Sequence, residues 1–418
     1  MSYLRFEKAL MTNLQESLPR ELLRTNRSGA YACSTIVDCN TRKYHGLLVV
    51  PIPELDDDNH VLLSSFDPSV IQHGVEFQLG LHKYKGEAFS PNGHKYIREF
   101  DCEKVPTTLY RVGGVKLRKE LVFQHYDDRV LIRYTLVDAH SETKLRFRPF
   151  LAFRSVKQFT HENPTASREY EEIENGIRTR MYAGYPYLYM QFSKKPTFVF
   201  HPDWYRDLEY PKEQERGYAS REDLYVPGYF ELPIKKGESI IFAASTSKSD
   251  TATLAPIFEE EREKRIPRDN FVHCLYNAAH QFLNRSKEGE NYILAGYPWF
   301  KCRGRDTFIA LPGLTLPGGE RGRFDFGGGS LVSVSQDGAN AALLLENGQV
   351  CTAVLLDKDL NVQYSGNVPA ANQILRRGEN FYLLTDSGVE CFAADGVYQW
   401  GQTLSVRPQA LIAGKQLL

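Results

Sequence analysis

A charge excess of either sign is missing from these 418 residues: Lys plus Arg number 51 and Asp plus Glu 52, a formal charge of −1. That balance excludes a strongly basic nucleic-acid binder and a polybasic membrane module as default readings. Long apolar runs are missing too. No stretch reaches the roughly 18 residues of a membrane-spanning helix. The opening segment carries Arg5, Glu7 and Lys8 among its apolar positions, so no signal peptide is expected and a cytoplasmic location is. Cysteine is sparse and unpatterned: seven residues, at 33, 39, 102, 274, 302, 351 and 391, with no C-x-x-C. Reduced thiols are expected, and a zinc site is not. The P-loop, a G-x-G-x-x-G turn after a strand, H-E-x-x-H and G-x-S-x-G are all absent, which removes the usual support for nucleotide, zinc-protease and serine-hydrolase chemistry. No cofactor and no metal are expected.

What is abundant is aromatic: Tyr 24 and Phe 24. Such an excess suits either large β cores or a surface that stacks on sugar rings. The length suggests two or three domains, at roughly 100–200 residues each. Composition breaks near Pro317. All 11 His lie before it, whereas the 102 residues from Pro317 onward hold 14 of the 31 Gly and only three Tyr. The Gly-rich stretch from Pro317 to Gly329 reads as a flexible linker.

The pattern predicts a mainly β chain in three sections. Residues 1–256 carry short β-branched and aromatic runs, such as Tyr44 to Val50, Val115 to Gln124 and Arg129 to Val137, and are expected to form a β-sandwich. Residues 257–316 switch to helical period. Glu260 with Lys264 and Glu261 with Arg265 are i,i+4 pairs. Asp269 or Asn270 can cap a second helix whose apolar stripe runs from Phe271 to Leu283. Residues 317–418 return to strands: Leu343 to Val350 echoes Leu383 to Val389 at a 40-residue spacing, a propeller-like β repeat. Two copies are too few to close a propeller, so a small sheet is expected there, either incomplete, poorly ordered or paired elsewhere.

One segment carries chemistry on its face: Tyr297-Pro298-Trp299-Phe300-Lys301-Cys302-Arg303-Gly304-Arg305-Asp306-Thr307-Phe308-Ile309. It sets aromatics, two Arg and a carboxylate on a Gly-containing loop. Aromatic faces stack on sugars, Arg binds hydroxyls, and a carboxylic acid can protonate a glycosidic oxygen. By residue type alone, a structural loop in which Arg303 or Arg305 pairs with Asp306 explains it better. Trp204, Tyr205, Tyr210, Tyr218, Tyr225 and Tyr229 lie in a polar, loop-like stretch, where aromatics suggest glycan contact. Tyr185, Tyr187 and Tyr189 alternate as one strand face does, and packing explains them better than stacking on sugar. Asp56-Asp57-Asp58 reads as a solvated acidic loop.

Trp299-Phe300 followed by Gly304-Arg305-Asp306-Thr307-Phe308-Ile309 resembles the signature loop of glycogen-debranching enzymes of the amylo-α-1,6-glucosidase kind. Thr25-Asn26-Arg27-Ser28-Gly29-Ala30-Tyr31 with Thr41-Arg42-Lys43-Tyr44-His45-Gly46-Leu47-Leu48 resembles the opening of that family's N-terminal domain. A weaker third match runs from Glu215-Arg216-Gly217-Tyr218 to Pro227-Gly228-Tyr229-Phe230. Together they span residues 1 to about 316. The resemblance implies an N-terminal β-supersandwich followed by an (α/α)6 toroid. It also implies inverting hydrolysis of α-1,6-linked glucose at branch points, with Asp306 as general acid. Trp299, Phe300, Arg305, Trp204, Tyr218 and Tyr229 are the expected substrate contacts, and an α-glucan (glycogen or limit dextrin) the expected partner. Neither nucleic acid nor membrane is expected. The family's base belongs far downstream in the toroid, which in this sequence gives way to the β-repeat tail. The chain is therefore expected to be catalytically incomplete alone. The competing readings are a non-catalytic glycan-binding or scaffold protein, and a fusion or truncation product whose Phe271–Leu283 stripe stays uncovered.

Overall fold

The computed structural model describes residues 2–286, 289–315, 330–337, 340–357 and 361–411. Strand occupies 51% and helix 13%, so the chain is mainly β. It forms two compact units, Met1–Pro317 and Gly318–Leu418. The expected linker over 317–329 lies outside the described residues.

The first unit is built on two antiparallel sheets. The nine-stranded one has Val115–Phe123, Arg129–Asp138 and Ser239–Ser245 at its centre. The ten-stranded one centres on Asn59–Gln72, Thr143–Ser155 and Arg221–Ile234. Period-2 patterning decides which face is buried. In Thr143–Ser155, Leu145 and Phe147 are buried, while Arg146 and Arg148 on the opposite face bond Glu231 and Glu76. The inner faces meet in an aromatic cluster: Phe66, Phe147 and Phe230 from one sheet, Tyr134, Phe192 and Phe242 from the other. Phe66 stacks on Phe242 at 3.7 Å, and Phe192 packs on Phe230 at 5.1 Å. Each such ring contributes about 1.5–3 kcal/mol by leaving water.

The stretch holding Trp204 to Tyr229 differs from the expected loop. Thr197–Glu209 and Arg221–Ile234 pair as long strands, with register shifts after Phe200 and Tyr205. Polar residues there occupy the outer strand face, and that alternation mimics a loop composition. Gly228 has φ +147°, and a Cβ on it would lie 2.1 Å from the Val199 carbonyl oxygen. Only glycine lets the two strands approach there.

Two expected helices are present, Leu254–Glu263 and Phe271–Phe282. Leu254 and Phe258 bury against Leu131 and Ile241 of the nine-stranded sheet. Both i,i+4 pairs form, at 2.9 Å for Glu260–Lys264 and 3.4 Å for Glu261–Arg265. Asn270 caps the second helix, its Oδ1 accepting from the His273 N–H at 2.8 Å. That helix buries Ala279 and leaves Phe271, Val272 and Leu275 about half exposed.

The second unit holds two four-stranded antiparallel sheets, rather than the single small sheet expected. Ser330–Asp337, Asn340–Asn347, Val350–Leu356 and Val362–Val368 form one; Gln373–Arg377, Asn380–Leu384, Gly388–Ala393 and Tyr398–Thr403 form the other. Both copies of the echoed motif are hairpins. Leu344, Leu355, Ile374, Phe381 and Leu383 share one core. The first strands of the sheets touch: the Ile374 N–H donates to Ser333 Oγ at 3.2 Å and the Arg376 N–H to Ser335 Oγ at 2.9 Å. Arg376 is buried and donates to the carbonyls of Ala341 and Leu356.

Candidate functional site

A second core lies on the outer face of the ten-stranded sheet, where Tyr31, Val49, Val61, Phe150 and Leu224 pack with Leu294 and Tyr297. The last two come from a small three-stranded sheet, Leu283–Arg285, Asn291–Gly296 and Phe300–Cys302. Tyr297 is the peg. Its ring meets Tyr31 edge-on at 5.7 Å and its hydroxyl donates to Asn284 Oδ1 at 2.8 Å. Burying Tyr297 sets Trp299 and Phe300 at the surface, 44% and 47% exposed.

The Thr41–Gly46 loop meets them. Its backbone is held from below: Tyr31 Oη donates to the Tyr44 carbonyl at 3.0 Å, and Arg154 Nη1 donates to the Lys43 carbonyl at 2.9 Å. Arg154 is itself buried against Glu222, which also accepts from the Tyr210 hydroxyl. His45 is fully buried and its Nδ1 accepts from the Thr41 N–H at 3.1 Å. Burial, with Arg42 beside it, pushes the His45 pKa down to about 3, so the ring is neutral near pH 7. Gly46 is required because a Cβ would lie 2.7 Å from Val49 Cγ2 and 2.8 Å from Val61 Cγ1.

So held, the loop presents its long side chains to the aromatics. Arg42 lies 5.5 Å from the Trp299 ring centroid, and Tyr44 meets Trp299 edge-on at 6.4 Å. Lys43 Nζ sits 5.4 Å from Tyr44 and 5.3 Å from Tyr218. All three segments that carry the family resemblance therefore reach one neighbourhood. Beside them opens a cleft of about 570 Å³, with Tyr44, Tyr292, Tyr297, Trp299 and Phe300 as its aromatic lining and Asp57, Asp58, Lys157, Lys301 and Arg303 as its charged one. Asp58 pairs with Lys157 at 2.7 Å, and Arg303 covers Phe300 at 4.4 Å. Aromatic faces beside carboxylate acceptors and cationic donors are what a polyhydroxylated, uncharged ring needs from a site.

Of the expected substrate contacts, Trp299 and Phe300 line this cleft; Tyr218 is not among its lining residues, its ring lying 5.3 Å from Nζ of Lys43, the neighbour of the lining Tyr44. Trp204 does not reach it: it is buried, packed on Tyr225 at 5.4 Å. Tyr229 does not line the cleft either, its ring lying 4.3 Å under the Arg146 guanidinium. Asp306 is half-buried in the first turn of the Gly304–Thr315 helix, where a loop was expected, and it is not among the cleft's lining residues. The Arg305 side chain lies outside the described residues. Tyr185, Tyr187 and Tyr189 do not share a strand, since Leu188–Phe192 begins after Tyr187. Tyr185 instead bonds His60 Nδ1 at 2.9 Å, and Tyr187 lies against Arg178. Asp57, Asp58, Lys157 and Tyr292 were not foreseen as site residues. No local spacing in the sequence links them. Among the described residues no cluster of His, Cys, Asp and Glu could hold a metal ion, and no helix is long and apolar enough to cross a membrane.

The chain belongs to the glycogen debranching enzyme N-terminal family, whose model matches residues 20–241. The amylo-alpha-1,6-glucosidase model matches residues 277–326, about ten residues further than the motifs alone reach. No curated protein matches the chain. Among solved structures it is similar to a bacterial glucoamylase complexed with acarbose, at 10% identity and a TM-score of 0.32, covering 67% of this chain and 42% of that one. It is also similar to a putative kojibiose phosphorylase from human microbiome, at 11% identity and TM-score 0.24, covering 50% and 25%. A polysaccharide lyase matches at 11% identity and TM-score 0.24, covering 94% and 47%. The chain thus spans less than half the length of each of these structures.

Proposed function

We propose that this chain is the glucan-recognising portion of an α-1,6-glucosidase of the debranching type, and that the Tyr44–Trp299 cleft holds the α-glucan. The observation that carries this reading is the meeting of Tyr44 and Arg42 with Trp299, from segments far apart in sequence, beside one cleft that Tyr44, Trp299 and Phe300 line. In this reading the Gly304–Thr315 helix opens the toroid and Asp306 supplies the proton to the leaving glycosidic oxygen. Inverting hydrolysis also needs a base on the opposite side of the sugar, about 6.5–9.5 Å from the acid. Asp57 and Asp58 lie within the cleft, but the family's base belongs to helices downstream of Thr315. Glycogen or its limit dextrin is the expected substrate.

A second reading, binding without hydrolysis, is favoured by one fact: Asp306 is not part of the cleft lining. Glucose release from branched limit dextrin by the full chain, measured beside Asp306→Asn, separates the two. Release that vanishes in the variant supports the hydrolase. No release from either, with maltooligosaccharide binding retained in both, supports the binding module. Failure of the chain to bind any α-glucan overturns both.

A further inference from the structure

Away from the aromatic cleft, a second cleft of about 280 Å³ has a different chemistry. Arg24, Arg27, Lys264, Arg265 and Arg268 all line it, and none of its described lining residues is acidic. Four elements deliver these cations: the Glu21–Thr25 strand, the turn after it, the end of the Leu254–Glu263 helix, and the segment leading to Phe271.

Their partners are unusual for buried cations. Arg24 and Arg268 are each under a tenth exposed, yet no carboxylate among the described residues lies within ion-pair reach of Arg24, Arg27 or Arg268. Arg24 instead bonds the Leu23 carbonyl and Cys102 Sγ; Arg27 bonds the Leu283 carbonyl; Arg268 bonds the Glu103 and Lys104 carbonyls. Glu261, buried behind the cleft, serves Lys264, Arg265 and the His125 ring. With the exposed Glu260, which also pairs with Lys264 at 2.9 Å, two carboxylates stand against five cations. The remaining lining includes His125 and His280, which cannot add negative charge. Burial and the neighbouring guanidiniums, Arg24 first among them, push Arg265 and Arg268 down to about 10. His125 is driven down to about 3 by burial and then Arg265. The cluster repels itself.

Buried, uncompensated charge is costly unless something pairs it. Guanidinium forks match the oxygens of phosphate, and several together favour a dianion over a carboxylate. We propose that this cleft binds a phosphate dianion, either free or as the ester of a small metabolite of monosaccharide size. Gln281 of the Phe271–Phe282 helix supplies a hydroxyl-accepting group that an ester would use, since its Oε1 is buried without a hydrogen-bond partner among the described residues.

Calorimetric titration of the full chain at low ionic strength tests this, with orthophosphate and glucose 6-phosphate as probes and glucose as the neutral control. Saturable one-to-one binding of a phosphate probe, with glucose silent, is expected. Arg27→Gln and Lys264→Gln should each weaken it about tenfold, the worth of one charge-assisted contact. Arg27→Gln should melt no lower than the wild type in phosphate-free buffer, because it removes self-repulsion without breaking an ion pair, whereas Lys264→Gln also loses the pairs with Glu260 and Glu261. Tighter binding of the ester assigns the hydroxyl groups a role; equal binding makes orthophosphate the ligand. No saturable heat from either probe, or affinity untouched by both substitutions, overturns the proposal.

Discussion

The Arg42 guanidinium lies 5.5 Å from the centre of the Trp299 indole while its Nε bonds Glu21 at 2.6 Å. A residue of the sandwich thereby fixes the most exposed tryptophan of the first unit, and Glu21 fixes the residue that does so. One face of the indole is occupied by Arg42, and the side chain is prevented from collapsing onto the surface. Such a ring is pre-organised for a flat, uncharged ligand.

Replacing Trp299 by alanine should therefore weaken maltooligosaccharide binding about tenfold, the scale of one aromatic stacking contact. Affinity electrophoresis in a glucan gel reads it directly. The circular dichroism spectrum should be unaltered, since Trp299 is not part of a core. Retained affinity in a folded variant would remove Trp299 from the site.

The Arg154–Glu222 pair is buried, and Arg154 also holds the Lys43 carbonyl. Glu222→Gln leaves the guanidinium without its counter-charge. The expected loss is about 3–5 kcal/mol, read as a lower urea midpoint. A shift under a third of that would mean that the carbonyl bonds suffice to compensate Arg154.

Gly46→Ala forces a methyl group onto Val49 and Val61. Overpacking of this kind costs about 1–3 kcal/mol. Because Gly46 ends the loop bearing Tyr44, the variant should lose glucan affinity as well as stability. A stability loss with normal affinity would show that the loop can shift without moving Tyr44.

His45 gives a pH dependence of defined sign. Its folded pKa of about 3 lies below the ordinary value of 6.5, so the unfolded chain binds the proton more readily. Its contribution is fully present above about pH 6.5 and is lost as pH falls toward about 3. The facing groups are Arg42, which deepens the effect, and Glu21 Oε1 at 3.6 Å. Melting temperature should fall on acidification from about pH 7 to about pH 4, and fall less steeply in His45→Asn, which keeps an acceptor for the Thr41 N–H. Parallel slopes in the two proteins would exclude the histidine as a source.

Much of the sandwich was legible in the sequence because strand periodicity is a local signal. Val115–Phe123 and Arg129–Asp138 lie where the runs predict, and Asn270 caps its helix as read. The long pair Thr197–Glu209 and Arg221–Ile234 was not legible: its outer face is rich in charge, and its bulges break the alternation. In the candidate cleft, Trp299 and Phe300 are the lining residues that a contiguous motif singles out. Trp204 was misplaced, since residue type alone does not say which strand face a ring occupies. Asp57, Asp58 and Lys157 reach the cleft through pairing of distant strands, which no spacing encodes. The cationic cleft was equally hidden, assembled from four elements whose separate charges look ordinary.

Three of the bonds joining the two sheets of the second unit link Ser333 to Ile374, Ser335 to Arg376 and Asp337 to Gly378, each spanning 41 residues. The sheets are thus related as successive units of a stack, with the same strand of each copy as the joint. Cohesion in such an array comes from nearest neighbours, so stability grows by one interface with each added copy. With two copies there is one such interface between the sheets. A duplication of residues 330–368 would lengthen the array without requiring any new kind of contact, whereas deleting either copy would remove the joint altogether.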